Sequence, residues 1–235
     1  MAVIAVVNRK GGSGKSTIAA HIAAWCAHQG LSVILGDADP QQSSRAWLRR
    51  RSPGLPAIMP LTLDTRSVPR VPSGVDHVVL DTPGGLHGFE LARIVMLADA
   101  IVMPVSPSMF DRESAAGCLD EIRKLPKVAA GRCPLAMLGM RVDERFQGGG
   151  QLQDWAESQA LPFLGVLRES QQYVSTLEQG MTLFDLPAGQ GSEDLAQWEP
   201  LLHWLRPMLQ PLLAANDQVR GRNVVRLVRG ARMRA

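Results

Sequence analysis

A short apolar run that passes directly into a glycine-rich loop constrains the fold of this chain more than any other feature. Residues 3–7 read VIAVV, and residues 8–17 read NRKGGSGKST. The apolar run predicts a buried strand, and the pattern from Lys15 onward predicts a helix. A glycine loop between a strand and a helix directs backbone N–H groups and the positive helix end at one point. This arrangement is typical of phosphate binding.

The loop carries the groups that bind a nucleoside triphosphate. Its glycines let backbone amides turn inward, because no Cβ blocks the turn. Lys15 can reach the β- and γ-phosphates, and the Ser16 hydroxyl is placed to ligate Mg²⁺. A plain glycine turn is the alternative. The predicted nucleotide-binding residues are Lys10, Gly11, Gly12, Ser13, Gly14, Lys15, Ser16 and Thr17.

A second lysine, Lys10, stands at the start of the same loop. Since Lys15 and a bound Mg²⁺ already offset part of the triphosphate charge, Lys10 is expected to project from the mouth of the loop. A cation there can reach a nucleotide held by another copy of the chain and stabilise the transferring phosphoryl group. The alternative is a solvated loop lysine.

The string KGGSGKST at residues 10–17 resembles the deviant Walker A box of the ParA/MinD ATPases, with the signature lysine of that family at Lys10. The resemblance extends over roughly residues 1–190. It implies a P-loop ATPase that uses ATP and Mg²⁺ and forms an ATP-sandwiched homodimer. In that dimer Lys10 would act catalytically on the nucleotide of the partner.

Three aspartates follow predicted strands. Asp37 and Asp39, in GDADPQQS, stand where a parallel sheet binds its ligands. This segment is similar to the D-x-D-P-Q box of the family, which implies that Asp37 supports the water shell of Mg²⁺ and that Asp39 orients the attacking water. Capping of the next helix is the alternative for both. Asp81 ends the strand HVVLD in a Walker B pattern, whose aspartate holds Mg²⁺ through water; a turn aspartate without function is the alternative.

Two further segments resemble the family with differences. Residues 82–85 read TPGG, where the switch-like turn of the family has a second proline at the position of Gly84, so the rigidity of the turn is left open. The segment from 165 to 187 resembles a late block of the family, with the pair Arg168 and Ser170 before a helix. An asparagine that would contact adenine is not evident at residues 140–143, so base recognition is not assigned.

Apolar runs alternate with helical patterns along the chain, which predicts an α/β fold: a mostly parallel, twisted sheet with helices on both faces. The domain is expected to span residues 1–215 and a basic tail residues 216–235. Strands are predicted near 3–7, 32–36, 77–80, 100–104, 135–140 and 163–166, with one short strand within 57–63. Helices are predicted near 15–29, 42–51, 88–97, 112–125, 151–159, 170–179 and 194–213.

The charge of the chain is concentrated at its C-terminal end. Residues 218–235 hold six arginines and no acidic residue, which leaves 19 basic against 22 acidic residues elsewhere. Such a tail favours a polyanion, and its small apolar face, without Phe or Trp, favours DNA over an anionic membrane. A disordered solubilising tail is the alternative. The residues predicted to contact DNA are Arg220, Arg222, Arg226 and Arg229.

These patterns predict a Mg²⁺-dependent ATPase that switches between monomer and dimer to partition or position a cargo. It is expected to be cytoplasmic and nucleoid-associated, with non-specific DNA and an activating protein on the cargo as partners. A MinD-like membrane-cycling ATPase and an accessory ATPase of an envelope or cellulose-export machine are alternatives. A metabolic enzyme on the same scaffold is another, although the three cysteines lack the spacing of a metal cluster.

Overall fold

The computed structural model describes residues 1–63, 74–143 and 148–209. In these residues seven strands form one sheet, and every neighbouring pair is parallel. The strands are β1 (Ala2–Val6), β2 (Val33–Asp37), β3 (Met59–Thr62), β4 (His77–Asp81), β5 (Ala100–Val105), β6 (Leu135–Val142) and β7 (Phe163–Arg168). Their order across the sheet is β3-β2-β4-β1-β5-β6-β7. The predicted α/β class is therefore confirmed, with a sheet that is parallel throughout the described residues.

Helices cover both faces of the sheet. They are α1 (Lys15–His28), α2 (Ser43–Leu48), α3 (Gly88–Leu97), α4 (Met109–Arg123), α5 (Pro126–Ala129), α6 (Gly148–Ser158), α7 (Gln171–Glu178) and α8 (Ser192–Ala196), followed by a helical stretch at 199–209. One core joins α1 to the 199–209 helix through residues such as Ile22 and Leu205. A second core joins α3, α4 and α6 through Leu91, Leu119 and Leu152. The sheet is thus buried on both faces, as parallel sheets require.

The register of the sheet brings the ends of the central strands together. Val6 of β1 pairs with Asp81 of β4, and Asp37 of β2 pairs with the same Asp81. Residues that follow these three strands therefore meet at one edge of the sheet. That edge is where open parallel sheets bind ligands.

The C-terminal segment is fastened to α1 by a buried histidine. His21 stacks on Trp198 with ring centroids 4.7 Å apart, and its Nδ1 lies 2.8 Å from the Thr17 carbonyl. Its Nε2 accepts the Leu183 N–H at 3.3 Å, so Nδ1 carries the proton of a neutral ring. Burial lowers the pKa of His21 to about 4, which keeps the ring neutral at physiological pH. A structural role therefore accounts for this histidine.

The predicted elements differ from the structure mainly near the C-terminal end. The helix predicted at 194–213 is interrupted at residues 197–198, and its last four residues lie outside the described part of the chain. Pro200 has no N–H to donate to the carbonyl of Ala196, which accounts for the break. α5, which begins with Pro126, was not predicted. The division into a domain at 1–215 and a tail at 216–235 stays a prediction, because the tail also lies outside the described residues.

Candidate nucleotide-binding site

A cleft of about 950 Å³ opens at the carboxyl edge of the sheet. The glycine loop forms one wall, the segment after β2 a second, and the turn after β4 a third. Most of the predicted site residues line it, including Lys15, Ser16 and Asp39. The volume lies in the range of small-molecule pockets. Sequence positions far apart in the chain therefore converge on one site.

The loop glycines adopt conformations that L-residues rarely occupy. Gly12 has φ +74° and Gly14 has φ +95°. A Cβ added at Gly11 or Gly12 would meet no atom within 4 Å and would point into open space. That space is available for phosphate oxygens, which approach the backbone closely only where no side chain intervenes. Ser13 is buried, and its hydroxyl has no hydrogen-bond partner among the described residues.

Lys15 lies at the first position of α1 with its ammonium inside the loop. Its Nζ donates to the carbonyl of Lys10 at 3.0 Å, and the side chain is largely buried. Burial lowers the pKa of Lys15, while the carboxylates of Asp81 and Asp39 oppose that shift. A buried ammonium with one hydrogen bond is well suited to an anionic ligand, which would compensate its loss of water.

Lys10 points away from the interior of its own loop. Its Nζ forms an ion pair with Asp111 Oδ2 at 3.0 Å, and 37% of its side chain is exposed. Asp111 lies in the first turn of α4, where the Ser108 hydroxyl donates to it. The backbone of Lys10 is fixed separately, since its N–H donates to Asn8 Oδ1 at 3.0 Å. The two lysines of the loop are thus directed to different places.

The buried carboxylate of Asp81 is suited to coordinate a cation, directly or through water. Its Oδ2 accepts the Ser44 hydroxyl at 2.6 Å, whereas its Oδ1 is buried without a hydrogen-bond partner among the described residues. Burial raises the pKa of Asp81 to about 6, and the hydroxyls of Ser44 and Ser16 oppose the rise. An orphaned carboxylate oxygen near a serine hydroxyl matches the oxygen ligands of hydrated Mg²⁺. These residues therefore fit the ion that the phosphate loop implies.

Asp37 and Asp39 follow β2 and differ in their contacts. Asp37 accepts the N–H of Asp39 at 3.0 Å and that of Arg45, in the first turn of α2, at 2.9 Å. The capping alternative for Asp37 is thus the contact observed, and support of Mg²⁺ stays a prediction. Asp39 Oδ1 accepts the Gln41 N–H at 2.9 Å, and no described residue donates to its Oδ2. Asp39 therefore has one carboxylate oxygen available in the cleft.

The turn after Asp81 packs directly on the phosphate loop. A Cβ added at Gly84 would lie 3.2 Å from Gly11 Cα and 3.3 Å from its nitrogen. The Gly85 N–H donates to the carbonyl of Arg9 at 2.6 Å. Glycine at position 84 therefore permits a close approach of two backbones that a Cβ would push apart by a few tenths of an ångström, and the Gly85–Arg9 hydrogen bond holds the turn without a second proline.

The late block separates into structural and cleft-lining residues. Arg168 and Ser170 both bond the carboxylate of the buried Asp194, which ties β7 to α8. Arg141, at the end of β6, lines the cleft with φ +53°, a conformation uncommon for a residue other than glycine. No contact to a base is assigned to it.

Sequence reasoning missed the acidic partners of the loop. Asp111 and Glu121, both on α4, pair with Lys10 and Arg9 respectively. These carboxylates stand about a hundred residues after the loop, with no spacing that local patterns can detect. Ser44 was missed for a different reason, since its contact to Asp81 depends on how α2 leaves the sheet.

Comparison with known proteins places this site in a family. The family described as CbiA, the CobQ/CobB/MinD/ParA nucleotide binding domain, matches residues 4–183. The chain belongs to this nucleotide-binding family. The match includes the glycine loop, the three aspartates and the turn after β4. The resemblance of the chain to the ParA/MinD family is thereby confirmed, and the roles of individual loop residues stay predictions.

Curated relatives include a protein named for carboxysome distribution and a chromosome-partitioning ATPase. The chain is 39% identical over 111 residues to a maintenance of carboxysome distribution protein A from Gloeobacter kilaueensis, a match that covers 46% of this chain and about half (51%) of the relative. It is 26% identical to the chromosome-partitioning ATPase Soj of Thermus thermophilus, over 90% of this chain and 95% of Soj. Within the CobQ/CobB/MinD/ParA family, similarity thus extends to ParA-like members over most of the chain.

Solved structures share the fold at low identity. A complex of a Cyanothece McdA variant with ATP matches with a TM-score of 0.67 and 18% identity, over 86% of this chain and 96% of that one. A plasmid partition protein of Borrelia burgdorferi bound to AMPPNP matches with a TM-score of 0.68 and 16% identity, over 86% and 98%. These matches establish the fold class of the family.

Proposed function

We propose that this protein is a Mg²⁺-dependent ATPase that alternates between a monomer and an ATP-sandwiched homodimer to position a cargo over the nucleoid. The observation that carries the proposal is the opposite orientation of the two loop lysines. Lys15 lies inside the loop, whereas Lys10 lies at its outer mouth and pairs with Asp111. On association, Lys10 would exchange Asp111 for the phosphates of a nucleotide held by a facing copy.

The binding chemistry follows from the residues around the cleft. Loop amides and Lys15 neutralise the phosphates, and the α1 N-terminus adds its partial positive charge. Ser16 and Asp81, with Asp37 nearby, would hold Mg²⁺, which offsets charge on the β- and γ-phosphates when bound. Asp39 would orient the attacking water through its available oxygen. Lys10 would stabilise charge on the phosphoryl group of the partner, as an arginine finger does.

Apolar side chains at the same edge of the sheet support association. Phe89 is 88% exposed at the start of α3, and Phe110 is 71% exposed at the start of α4. Both helices follow parallel strands of the same sheet, β4 and β5, so their first residues lie on the side of the sheet where the cleft opens. Large exposed aromatic residues are typical of surfaces that bind another protein. A second copy facing the cleft would cover them.

Binding of ATP is expected to double the mass of the protein in solution. The chain has a mass of 25.5 kDa. Light scattering on the wild type with Mg²⁺ and a non-hydrolysable ATP analogue should give a dimer, and with ADP a monomer. Lys15→Ala, which lacks the phosphate lysine, should remain a monomer in both. A monomer at all concentrations of the analogue would contradict the proposal.

The cargo and its partner are proposed from the relatives. Proteins named for carboxysome distribution and chromosome partitioning are among them. We accordingly expect an activating protein on the cargo that stimulates hydrolysis, and a cytoplasmic ATPase that binds nucleoid DNA. Among the described residues, no helix is long and apolar enough to cross a bilayer.

Deletion of residues 218–235 tests the predicted DNA contacts. The arginines at 220, 222, 226 and 229 lie outside the described residues, so their role rests on the sequence. Phosphate contacts release counterions, and four to six arginines predict a slope of log affinity against log salt of about −4 to −5. The truncated protein should lose most DNA affinity and keep ATP binding, as measured by fluorescence anisotropy with a random duplex.

Two outcomes would contradict the assignment of the tail to DNA. Unchanged DNA affinity after deletion would place the contact surface elsewhere in the chain. A preference of the intact protein for anionic liposomes over DNA at equal salt would favour a membrane-cycling ATPase. A control variant keeps the full tail and changes its six arginines to glutamine. Comparison of its DNA affinity with that of the truncated protein shows whether charge or chain length is responsible for the loss.

A further inference from the structure

Glu121 on α4 makes two contacts that join separate parts of the site. Its Oε2 forms an ion pair with the guanidinium of Arg9, the residue before Lys10. Its Oε1 accepts the N–H of Gly88, the first residue of α3. One side chain thus connects the phosphate loop to the end of the turn that follows Asp81.

The same turn is also attached to Arg9 at its other end. The Gly85 N–H donates to the Arg9 carbonyl at 2.6 Å. Residues 85–88 therefore have two links to Arg9. Gly85 is hydrogen-bonded to its carbonyl, and Gly88 is linked to its guanidinium through Glu121. The Arg9 guanidinium lies next to Gly117 of α4, where an added Cβ would be in ordinary van der Waals contact with Nη1 at 3.5 Å.

The contacts of Glu121 do not include the cleft itself. Residues 82–86 of the turn line the cleft, whereas Glu121 and Arg9 do not. The side chains of the pair are about one-third exposed, at 34% for Arg9 and 31% for Glu121. Ion pairs with this exposure contribute little to folding stability, so stability alone does not explain the arrangement.

We infer that Glu121 is a positioning residue for hydrolysis, which holds the turn after Asp81 in a fixed relation to the phosphate loop. The inference rests on the proposed ATPase function. Through Glu121, the Arg9 side chain and the Gly88 N–H are held to one carboxylate. Without it, Gly88 loses its link to Arg9, and the turn keeps the Gly85–Arg9 and Thr82–Val6 hydrogen bonds and the packing of Gly84 on Gly11. The end of the turn is then held less firmly in relation to the phosphate loop.

Steady-state kinetics of Glu121→Ala and Glu121→Gln test the inference. Glutamine retains an acceptor for Gly88 but loses the charge that pairs with Arg9, whereas alanine loses both contacts. Because misplacement of site residues lowers turnover without removing a binding group, kcat should fall roughly tenfold to a hundredfold in Glu121→Ala, and less in Glu121→Gln. The KM for ATP and the Tm should change little in both. Glu199→Gln, which breaks the exposed Glu199–Arg206 pair outside the site, is the matched control and should be unaffected.

Hydrogen exchange supplies a readout that does not depend on turnover. Peptides covering residues 82–91 should exchange faster in Glu121→Ala than in the wild type and the Glu199→Gln control. Unchanged exchange together with unchanged kcat would overturn the inference, and so would a loss of kcat matched by a comparable loss of Tm or ATP affinity. If Glu121→Ala does not fold, a wild-type kcat in Glu121→Gln overturns it. A wild type without ATPase activity would refute the proposed function, and exchange would still report on the Glu121 contacts.

Discussion

Lys15→Ala is expected to abolish ATP binding. Lys15 Nζ lies buried in the loop and donates only to the Lys10 carbonyl in the described structure, so its charge is available to the β- and γ-phosphates. Removal of one partner from a buried, hydrogen-bonded charge pair costs about 2–5 kcal/mol, which is roughly a 30-fold to 4,000-fold increase in Kd. Titration with a fluorescent ATP analogue measures the change.

Lys127→Ala is the matched control for this experiment. Lys127, on α5, pairs with Asp99 at 3.3 Å and does not line the cleft. The control should bind the analogue with wild-type affinity. Near-normal affinity in Lys15→Ala would contradict the assignment of residues 10–17 as the nucleotide-binding loop.

Asp39→Ala is expected to retain ATP binding and to lose hydrolysis. Asp39 lies at the cleft wall opposite the loop, with one carboxylate oxygen fixed by Gln41 and the other without a described donor. Loss of a group that positions and polarises water lowers turnover by about 10²–10⁴-fold. Phosphate release measures turnover, and the fluorescent analogue measures binding. The variant should accumulate as an ATP-bound dimer.

A control variant separates this effect from a general loss of negative charge. Asp154 is exposed on α6 and does not line the cleft, so Asp154→Ala should hydrolyse ATP normally. Unchanged turnover in Asp39→Ala, with or without an activating protein, would refute a role for Asp39 in water activation. Its contact to Gln41 would then account for the residue as a helix-entry cap.

Local patterns were sufficient for the central part of this molecule. The run before the loop, the glycines and the helix from Lys15 follow from steric rules that act within a few residues. The same applies to β4, because a short apolar run that ends in aspartate predicts a buried strand with a carboxylate at its end. Helix α3 was predicted with the bounds that the structure has, Gly88–Leu97.

Long-range contacts determined what the sequence did not reveal. The ion pairs of Arg9 and Lys10 involve α4, whose position depends on the whole sheet. The close packing of Gly84 on Gly11 depends on how two distant loops meet, which no neighbouring residue encodes. The double attachment of Asp37 to backbone N–H groups depends on the path of the chain into α2. Each is a consequence of packing rather than of local propensity.

Gly84 stands where the family motif has a second proline, and the structure shows how the turn is held without it. A second proline would stiffen the turn by fixing φ. In this chain the turn is held by the Gly85–Arg9 hydrogen bond and by Glu121 at Gly88. The turn is therefore held by hydrogen bonds although the proline is absent. Arg9 and Glu121, which accept these bonds, lie outside the motif.

The central claim is that Lys10 acts on the nucleotide of the partner subunit, and mixing two inactive variants tests it most directly. Lys10→Ala keeps its own loop and Asp39, and Asp39→Ala keeps Lys10. In a mixed dimer the site on the Lys10→Ala chain receives Lys10 from its partner and is complete. If dimers form at random in an equal mixture, turnover per chain should return to about a quarter of the wild-type value. Absence of activity in dimers shown to be mixed would contradict the claim, and normal hydrolysis by Lys10→Ala alone would show that Lys10 is a solvated loop residue.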